Sequence, residues 1–265
     1  MSALSTYLEN AILNHLLTNT AYTRPDTLYF ALFTSDPGSS GVTGELSGGG
    51  YARVAVTNNN INFPQCNASG TPTKTNGSTI QFPTASAAWG NVSHWAIYDA
   101  ATTGTNMLMH GALNTVRYVA AGDAPKIVAN ALSITITNAT SGGLTDYAKR
   151  KVLDHVFGGP NFASPTTAYV GIGTYLSAES FTEWTESSYA RRAIAFGSAS
   201  GGVSANSGTV TFTSSVVDGS ATLNSLAIYD NADSALVFLP ASTTRTVNIG
   251  DAATIAASGI TVTLQ

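Results

Sequence analysis

Hydrophobic and polar positions along the chain follow two periods, and both periods occur twice. Between Ser5 and Thr18, apolar residues recur every three or four positions, which predicts an amphipathic helix with Ser5 as its N-cap. A second such helix is predicted from Thr145 to Phe157. The stretches after each helix are short and apolar or alternate in polarity, which is typical of β-strands separated by turns. The chain therefore predicts two successive rounds of one helix followed by strands.

The strands of the first round are short and closely spaced. They are predicted at Thr27–Ser35, Tyr51–Thr57, Ile61–Phe63, Ser78–Phe82, Val92–Ile97, Met107–Leu113 and Leu132–Thr137. Such spacing, with turn residues between the strands, indicates a sandwich or a barrel. The polar stretch Asn58–Ser78 is an elaborated loop, because the second round has no counterpart of equal length.

The second round repeats residues as well as pattern. The segment that begins at Leu4 returns 140 positions later at Leu144, and His15 then stands in register with His155. Further matches follow in the same order: Tyr51-Ala52-Arg53 with Tyr189-Ala190-Arg191, and Ile97-Tyr98-Asp99 with Ile228-Tyr229-Asp230. A period of this length indicates a duplicated domain and not a solenoid.

We therefore predict a mainly β fold made of two tandem antiparallel β-sandwich domains, each opened by one amphipathic α-helix. The first domain is expected at residues 1–137 and the second at residues 144–265, joined by a linker at residues 138–143. Each has an ordinary domain length, and each is expected to bury a core of its own.

The chain has few charged residues, and this limits which classes of binding partner can be predicted for it. Charged residues make up 10% of the 265 residues, against about 25% in typical proteins. This suits either a β-rich protein with a hydroxyl-rich surface or a chain that buries much of its surface against partners. The net charge is −4 and no basic stripe is present, so no nucleic-acid partner is predicted. Lys149 to Lys151 are expected on the solvated face of the second helix.

Neither a membrane-spanning segment nor an intrachain disulfide is predicted. The sequence contains no apolar run near the ~18 residues of a membrane span, so no membrane partner is expected. Cys66 is the only cysteine, which rules out an intrachain disulfide.

The sequence predicts no catalytic residue, no metal site and no cofactor, and therefore no enzyme. His15 and His155 lack a second ligand at metal-binding spacing and are expected at the edge of the core. No G-x-S-x-G motif presents a nucleophilic serine.

The repeated Tyr-Ala-Arg motif leaves two interpretations open. The arginine could grip a ligand, or it could lie over an aromatic ring or pair with an acid such as Asp99 or Asp230. Because the motif occurs in both rounds, the structural interpretation is favoured, in which the fold itself requires the arginine.

One loop of the second round combines aromatic and acidic residues. Glu179, Glu183 and Glu186 are expected to form a solvated acidic rim. Glycan sites combine exposed aromatic rings with carboxylates or amides, so Tyr175, Phe181 and Trp184 beside Glu179 and Glu183 are the candidate glycan contacts.

Several segments resemble a family of small tailed-bacteriophage virion proteins, often described as tail fibre proteins, whose members usually carry one such unit. The segments are LSTYLENAILNHLLTNTAYTRPDTLYFALFTSDP, GELSGGGYARVAV, IQFPTASAAWGNVSHWAIYDA and MLMHGAL. The resemblance implies a non-enzymatic structural protein of the virion, made in the host cytoplasm, and it brings no catalytic residues.

Within the virion, two locations are open. The first interpretation is a capsid decoration or cement protein on the outer surface of the head, with the major capsid protein as partner. The alternative is a tail-fibre or tail-tip adhesin that contacts the host surface, with tail proteins as partners. A homo-oligomer, specifically a trimer, is expected on the shell. The candidate protein contacts lie on the first helix and the elaborated loop: Tyr7, Asn14, Asn59, Asn67 and Lys74.

Overall fold

The computed structural model describes residues 2–41, 43–102, 106–138, 142–177, 180–185, 189–212, 221–248 and 252–264. Unit 1 comprises, in chain order, β1 (Ser2–Leu4), α1 (Thr6–Leu17), β2 (Thr27–Phe33), β3 (Val54–Thr57), β4 (Lys74–Thr75), β5 (Ile80–Gln81), β6 (Gly90–Tyr98), β7 (Met107–Val119), β8 (Lys126–Ile127) and β9 (Ser133–Ile134). Unit 2 comprises β10 (Gly143–Leu144), α2 (Asp146–Val156), β11 (Ala168–Ser177), β12 (Ser180–Glu183), β13 (Arg192–Ile194), β14 (Val203–Ala205), β15 (Val210–Phe212), β16 (Ala221–Tyr229), β17 (Ala235–Val247), β18 (Ala253–Ile255) and β19 (Thr261–Thr263).

The two units have the same strand order. The main antiparallel sheet of unit 1 runs β1-β7-β6-β2-β3, and that of unit 2 runs β10-β17-β16-β11 with β12 and β13 both paired to β11. The register agrees as well, because Tyr29 pairs with Tyr98 in unit 1 and Tyr169 pairs with Tyr229 in unit 2. The predicted tandem of mainly β, antiparallel sandwich units is confirmed.

Two-stranded ribbons form the second layer of each sandwich. Unit 1 has the ribbons β4-β9 and β5-β8, and unit 2 has β14-β19 and β15-β18. A buried asparagine supports each layer: Asn76 donates to the carbonyl of Val128 and accepts from the amide of Leu132, and Asn206 makes the equivalent bonds to Ala256 and Ile260. These amides satisfy backbone groups that would otherwise be buried without a partner.

Each helix begins at the predicted cap. The hydroxyl of Ser5 accepts from the amide of Leu8, and the hydroxyl of Thr145 accepts from the amide of Ala148. Such caps satisfy one of the amide donors that a helix leaves free at its first turn. The chain then turns back at Gly158, whose φ of +70° is the left-handed conformation that glycine adopts readily.

The two units share one main hydrophobic core, and each unit also has a smaller buried cluster of its own, apart from the shared one. A single cluster of buried residues contains side chains of α1, α2, both main sheets and the ribbons. Phe63 of the elaborated loop bridges the units, with its ring 6.2 Å from that of Phe30 in unit 1 and 6.2 Å from that of Phe157 in unit 2. The close fit requires glycine, because a Cβ at Gly158 would lie 2.3 Å from the carbonyl oxygen of Asn59.

The structure corrects some sequence-based elements. The strand predicted at Ile61–Phe63 is a turn, in which Asn59 accepts hydrogen bonds from the amides of Ile61 and Asn62. The strands β1, β4 and β8 were not predicted, since two or three residues are too few to show a period. The predicted linker at residues 138–143 lies partly outside the described residues.

Candidate functional site

A groove is open on one side of each sandwich, between the main sheet and a ribbon. Groove 1, in unit 1, has a volume of about 590 Å³ and lies between β7 and β8. Its walls include Leu113, Asn114 and Arg117 from β7. They also include Lys126 from β8, Val128 just after it and Ser133 from β9. The buried side chains of Val92 and Leu132 line its interior. The groove therefore combines an apolar interior with a polar and cationic mouth.

Groove 2, in unit 2, is the counterpart of groove 1 and has a volume of about 490 Å³. Equivalent register positions line both grooves: Arg117 faces Val92 across β6 and β7, and Arg245 faces Leu223 across β16 and β17. In both units the strand that lines the groove, β7 or β17, also departs from its neighbour β6 or β16 at the same place. Residues 113–116 stand opposite Ser93 alone, and residues 241–244 stand opposite one residue of β16. Irregularities of this kind re-aim side chains at sheet edges.

The cations of the two grooves differ from the other cations of the chain. The chain has 11 lysines and arginines, and all lie within the described residues. All but three make a hydrogen bond, an ion pair or a ring contact within the chain. The three without such a contact among the described residues are Arg117, Lys126 and Arg245, and each lines a groove. No aspartate or glutamate is among the described residues that line either groove.

The arginine of each Tyr-Ala-Arg motif is part of the fold. The guanidinium of Arg53 lies 3.6 Å from the centre of the Tyr98 ring and forms two hydrogen bonds with the carboxylate of Glu45. In unit 2, the guanidinium of Arg191 lies 3.3 Å from the centre of the Tyr229 ring and donates hydrogen bonds to the carboxylate of Glu183. The structural interpretation of the motif is therefore correct, and the ligand-gripping one is not supported, because the planar faces and the donors of these side chains are already engaged.

The acid in this cluster is not the predicted one. Asp99 accepts from Asn106, and Asp230 accepts from the backbone amides of Ala232 and Ser234, so neither pairs with the motif arginine. Burial raises the pKa of Glu183, but hydrogen bonds from Arg191 and Tyr189 outweigh it and the pKa lies below the usual range.

The expected acidic rim is also revised. Glu183 lies in β12 and belongs to the arginine cluster, whereas Glu179 and Glu186 lie outside the described residues.

The two helix histidines meet where the units join. The rings of His15 and His155 stack with their centres 4.6 Å apart. The Nδ1 atom of each accepts from a backbone amide, of Tyr22 for His15 and of Phe162 for His155. Burial, together with the neighbouring His155, lowers the pKa of His15 to about 4. The pair is neutral at pH 7, as expected for histidines at the edge of a core.

The contacts between the units are reciprocal. In α1, the side chain of Asn14 accepts from the amide of Ala199 in unit 2. In α2, Asp154 stands 140 positions later and accepts from the amide of Cys66 in unit 1. Asp154 also accepts from Lys74, whose ammonium lies 2.7 Å away. Each helix therefore holds a loop of the other unit, and the chain is arranged as an internal pseudo-dimer.

The duplicated unit seen in the structure matches a known family. Residues 3–135 and residues 143–263 match the protein family described as Podophage GP4 fiber I protein gp80. The chain belongs to this family. It is therefore a structural protein of a tailed-phage virion that carries the fiber I unit twice. A search of curated proteins found no match.

Most of the predicted contact residues of this fiber-family chain lie at the junction of its units. Lys74 is completely buried, with 0% of its surface exposed, so its contact is with unit 2 and not with another molecule. Asn14 holds unit 2, and Asn59 organises the turn beside Gly158. Asn67 is exposed, but its carbonyl already accepts from Arg150.

Tyr7 differs from the other predicted contacts, because it remains 40% exposed. Its role as a contact with another protein stays a prediction.

The candidate glycan cluster is divided between two faces of the sheet. Tyr175 and Phe181 are cross-strand partners, and Phe181 stacks on Phe238 with ring centres 5.4 Å apart. Trp184 packs instead on the other side against the shared core, beside Tyr189. The structure thus brings two of the three aromatic residues together, and glycan binding by them stays a prediction.

The second helix is less solvated than expected. Lys149 is buried beside Asp146, and Arg150 donates to the carbonyls of Asn67 and Gly70 in unit 1. Only Lys151 of the basic run is exposed.

The histidines found only in unit 1 do not activate a nucleophile. The hydroxyl of Ser93 lies 2.8 Å from Nδ1 of His94, but it donates to the carbonyl of Thr34. His110 pairs with Asp36 at 3.1 Å. Within the described residues no three His, Cys, Asp or Glu side chains are grouped to hold a metal, and no helix is long and apolar enough to cross a membrane.

Two features of the site were missed by the sequence analysis, and one had a readable signal. The acid of each arginine cluster precedes its Tyr-Ala-Arg motif by the same spacing, Glu45 before Tyr51 and Glu183 before Tyr189. The grooves had no such signal, because they depend on the departure of β7 from β6 and of β17 from β16.

Proposed function

We propose that this chain is a tail-fibre component that contacts the host surface and carries out no reaction. The observation that carries the proposal is the match of both units to a fiber protein family. Two open grooves with unpaired cations support it, because they are surfaces available to a ligand. The arginine and histidine clusters that might have performed chemistry are engaged inside the fold.

Capsid decoration is the competing location. The family description names a fiber, which favours the tail over the head. The major capsid protein as partner, a homo-oligomer and a trimer on the shell are predictions that accompany the capsid interpretation. On the fibre interpretation the partners are tail proteins and a host surface molecule.

Localisation on intact virions tests the proposal. Cryo-electron microscopy of the particle that carries this protein should show its density on the tail, and mass spectrometry should give a low copy number relative to the major capsid protein. Density that repeats over the head surface, at a copy number close to that of the capsid protein, would refute the proposal.

A competition assay distinguishes a chain that contacts the host surface from one that has only a structural role in the tail. Purified protein added to host cells before infection should slow phage adsorption in proportion to its concentration. No effect at saturating protein would show that the chain does not contact the host.

A further inference from the structure

We infer that the two grooves bind an anionic polysaccharide, with groove 1 as the stronger site. This inference rests on the proposed contact with the host surface and names the class of ligand and the residues that hold it. The candidate cluster of Tyr175, Phe181 and Trp184 is not involved, because the grooves lie elsewhere in each unit.

The unpaired basic side chains of the grooves indicate the charge of the ligand. Arg117, Lys126 and Arg245 are exposed and have no partner among the described residues, whereas the other basic side chains of the chain are engaged. With no carboxylate along the described walls, the mouths of the grooves are cationic in a protein whose net charge is −4. An arginine binds carboxylate or phosphate through two parallel hydrogen bonds, and a lysine binds either as a point charge. The ligand is therefore an anion.

The remaining groups of groove 1 fit a sugar. Asn114, Thr115 and Ser133 offer an amide and hydroxyls, which can bond to the hydroxyls of a sugar ring. Leu113 and Val128 offer apolar surface for the C–H faces of the same ring. A volume of about 590 Å³ lies in the range of small-molecule sites, ~300–1,000 Å³. An acidic sugar uses all three kinds of group together.

The duplication favours a polymer over a unique acidic peptide. Equivalent grooves occur in both units of one chain, and a repeating polysaccharide offers the same charged group many times. Two sites on one chain can then engage one polymer, and the second contact is strengthened by the high local concentration that the first creates. Groove 2 has one cation, Arg245, and walls that include Ala241 and Thr243, so it is the weaker site.

The test measures binding of defined polymers to the purified full-length protein. Polygalacturonate supplies carboxylates, a teichoic-acid-type polyol phosphate supplies phosphates, and dextran is the neutral control. Isothermal titration calorimetry at low salt should show binding of at least one anionic polymer and none of dextran. Binding should weaken as salt is raised, because exposed charges are screened.

Variants assign the binding to the grooves. Arg117→Gln with Lys126→Gln should weaken binding about tenfold or more, since each removes a charged hydrogen-bond donor to the ligand. Arg245→Gln should weaken it less. Lys151→Gln is the matched control, because it removes an exposed charge outside both grooves and should leave affinity unchanged. Unchanged melting temperatures would show that each variant is folded.

Three results would overturn the inference. The first is an unchanged affinity in the groove 1 double variant, and the second is an equal loss in Lys151→Gln, which indicates non-specific attraction. The third is tighter binding of polyglutamate than of any anionic polysaccharide, which identifies an acidic peptide as the ligand. If the double variant still slows phage adsorption as strongly as the unaltered protein does, the proposed host contact is retained, and only the assignment of the ligand to the grooves is refuted.

Discussion

Removing Asp154 should destabilise the protein by more than any other single change at the junction of the units. Lys74 has no exposed side-chain surface, and its ammonium lies 2.7 Å from the carboxylate of Asp154. In Asp154→Ala that charge stays buried without its partner, which costs about 3–5 kcal/mol. The amide of Cys66 loses its acceptor at the same time. We expect a loss of about 4 kcal/mol in the free energy of unfolding.

The duplication supplies a matched control for this change. Asn14 occupies the position in α1 that Asp154 occupies in α2, and it accepts from one backbone amide, that of Ala199, with no charged partner. Asn14→Ala should therefore cost only about 1–3 kcal/mol, the cost of an unsatisfied buried amide. The double variant Asp154→Ala with Lys74→Met should recover much of the loss, because an apolar side chain replaces the unpaired charge.

Chemical denaturation followed by tryptophan fluorescence and circular dichroism measures these differences. The reasoning is refuted if Asp154→Ala costs no more than Asn14→Ala, or if adding Lys74→Met destabilises the Asp154→Ala protein further. Either result would mean that the ammonium finds water or another acceptor and that the pair does not hold the units together.

Three further predictions concern single clusters. Leu32→Ala should lower the free energy of unfolding by ~2–5 kcal/mol in urea denaturation, because Leu32 is 4% exposed; a loss under ~1 kcal/mol would contradict this. Arg53→Lys should cost about 1–3 kcal/mol in the same assay, since lysine cannot form the two parallel bonds to Glu45, and an unchanged midpoint would refute the role of the cluster. Burial lowers the pKa of His15 from 6.5 to about 4, so its contribution to stability is complete above pH 6.5 and is lost as pH falls toward 4. Melting temperatures should decline over that interval, and His15→Gln should flatten the decline; equal slopes in both proteins would contradict the assignment.

The course of the fold was readable because it rests on local pattern. The helices begin at the predicted caps, Ser5 and Thr145, since a cap depends only on a side chain and the next three amides. The apolar run predicted a strand at Thr27–Ser35, and the structure has β2 there with Leu28, Phe30 and Leu32 in the core. Some elements of two or three residues, such as β1, β4 and β8, were missed, because their pairing is decided by distant parts of the chain.

The arrangement of the units could not be read in the same way. A helix face that carries Asn10 and Asn14 looks solvated in sequence, yet these side chains accept from the amides of Gly202 and Ala199 in unit 2. Nothing in the local pattern of α1 distinguishes water from a loop of the sister unit as the partner of an asparagine. The duplication itself was the available signal, because two copies of one unit on a short linker can pack face to face.

The low charge of the chain has a different meaning once this packing is known. The sequence alone left two explanations open: a β-rich protein with a hydroxyl-rich surface, or a chain that buries much of its surface against partners. In the structure, Lys74 and Arg150 hold the two units of the same chain, and Arg53 and Arg191 hold loops over the main sheets. Within the part of the chain that the structure describes, the basic residues without a partner are those of the grooves. Their positive charge attracts anions, so we expect the anionic ligand that we infer to meet the chain first at the grooves.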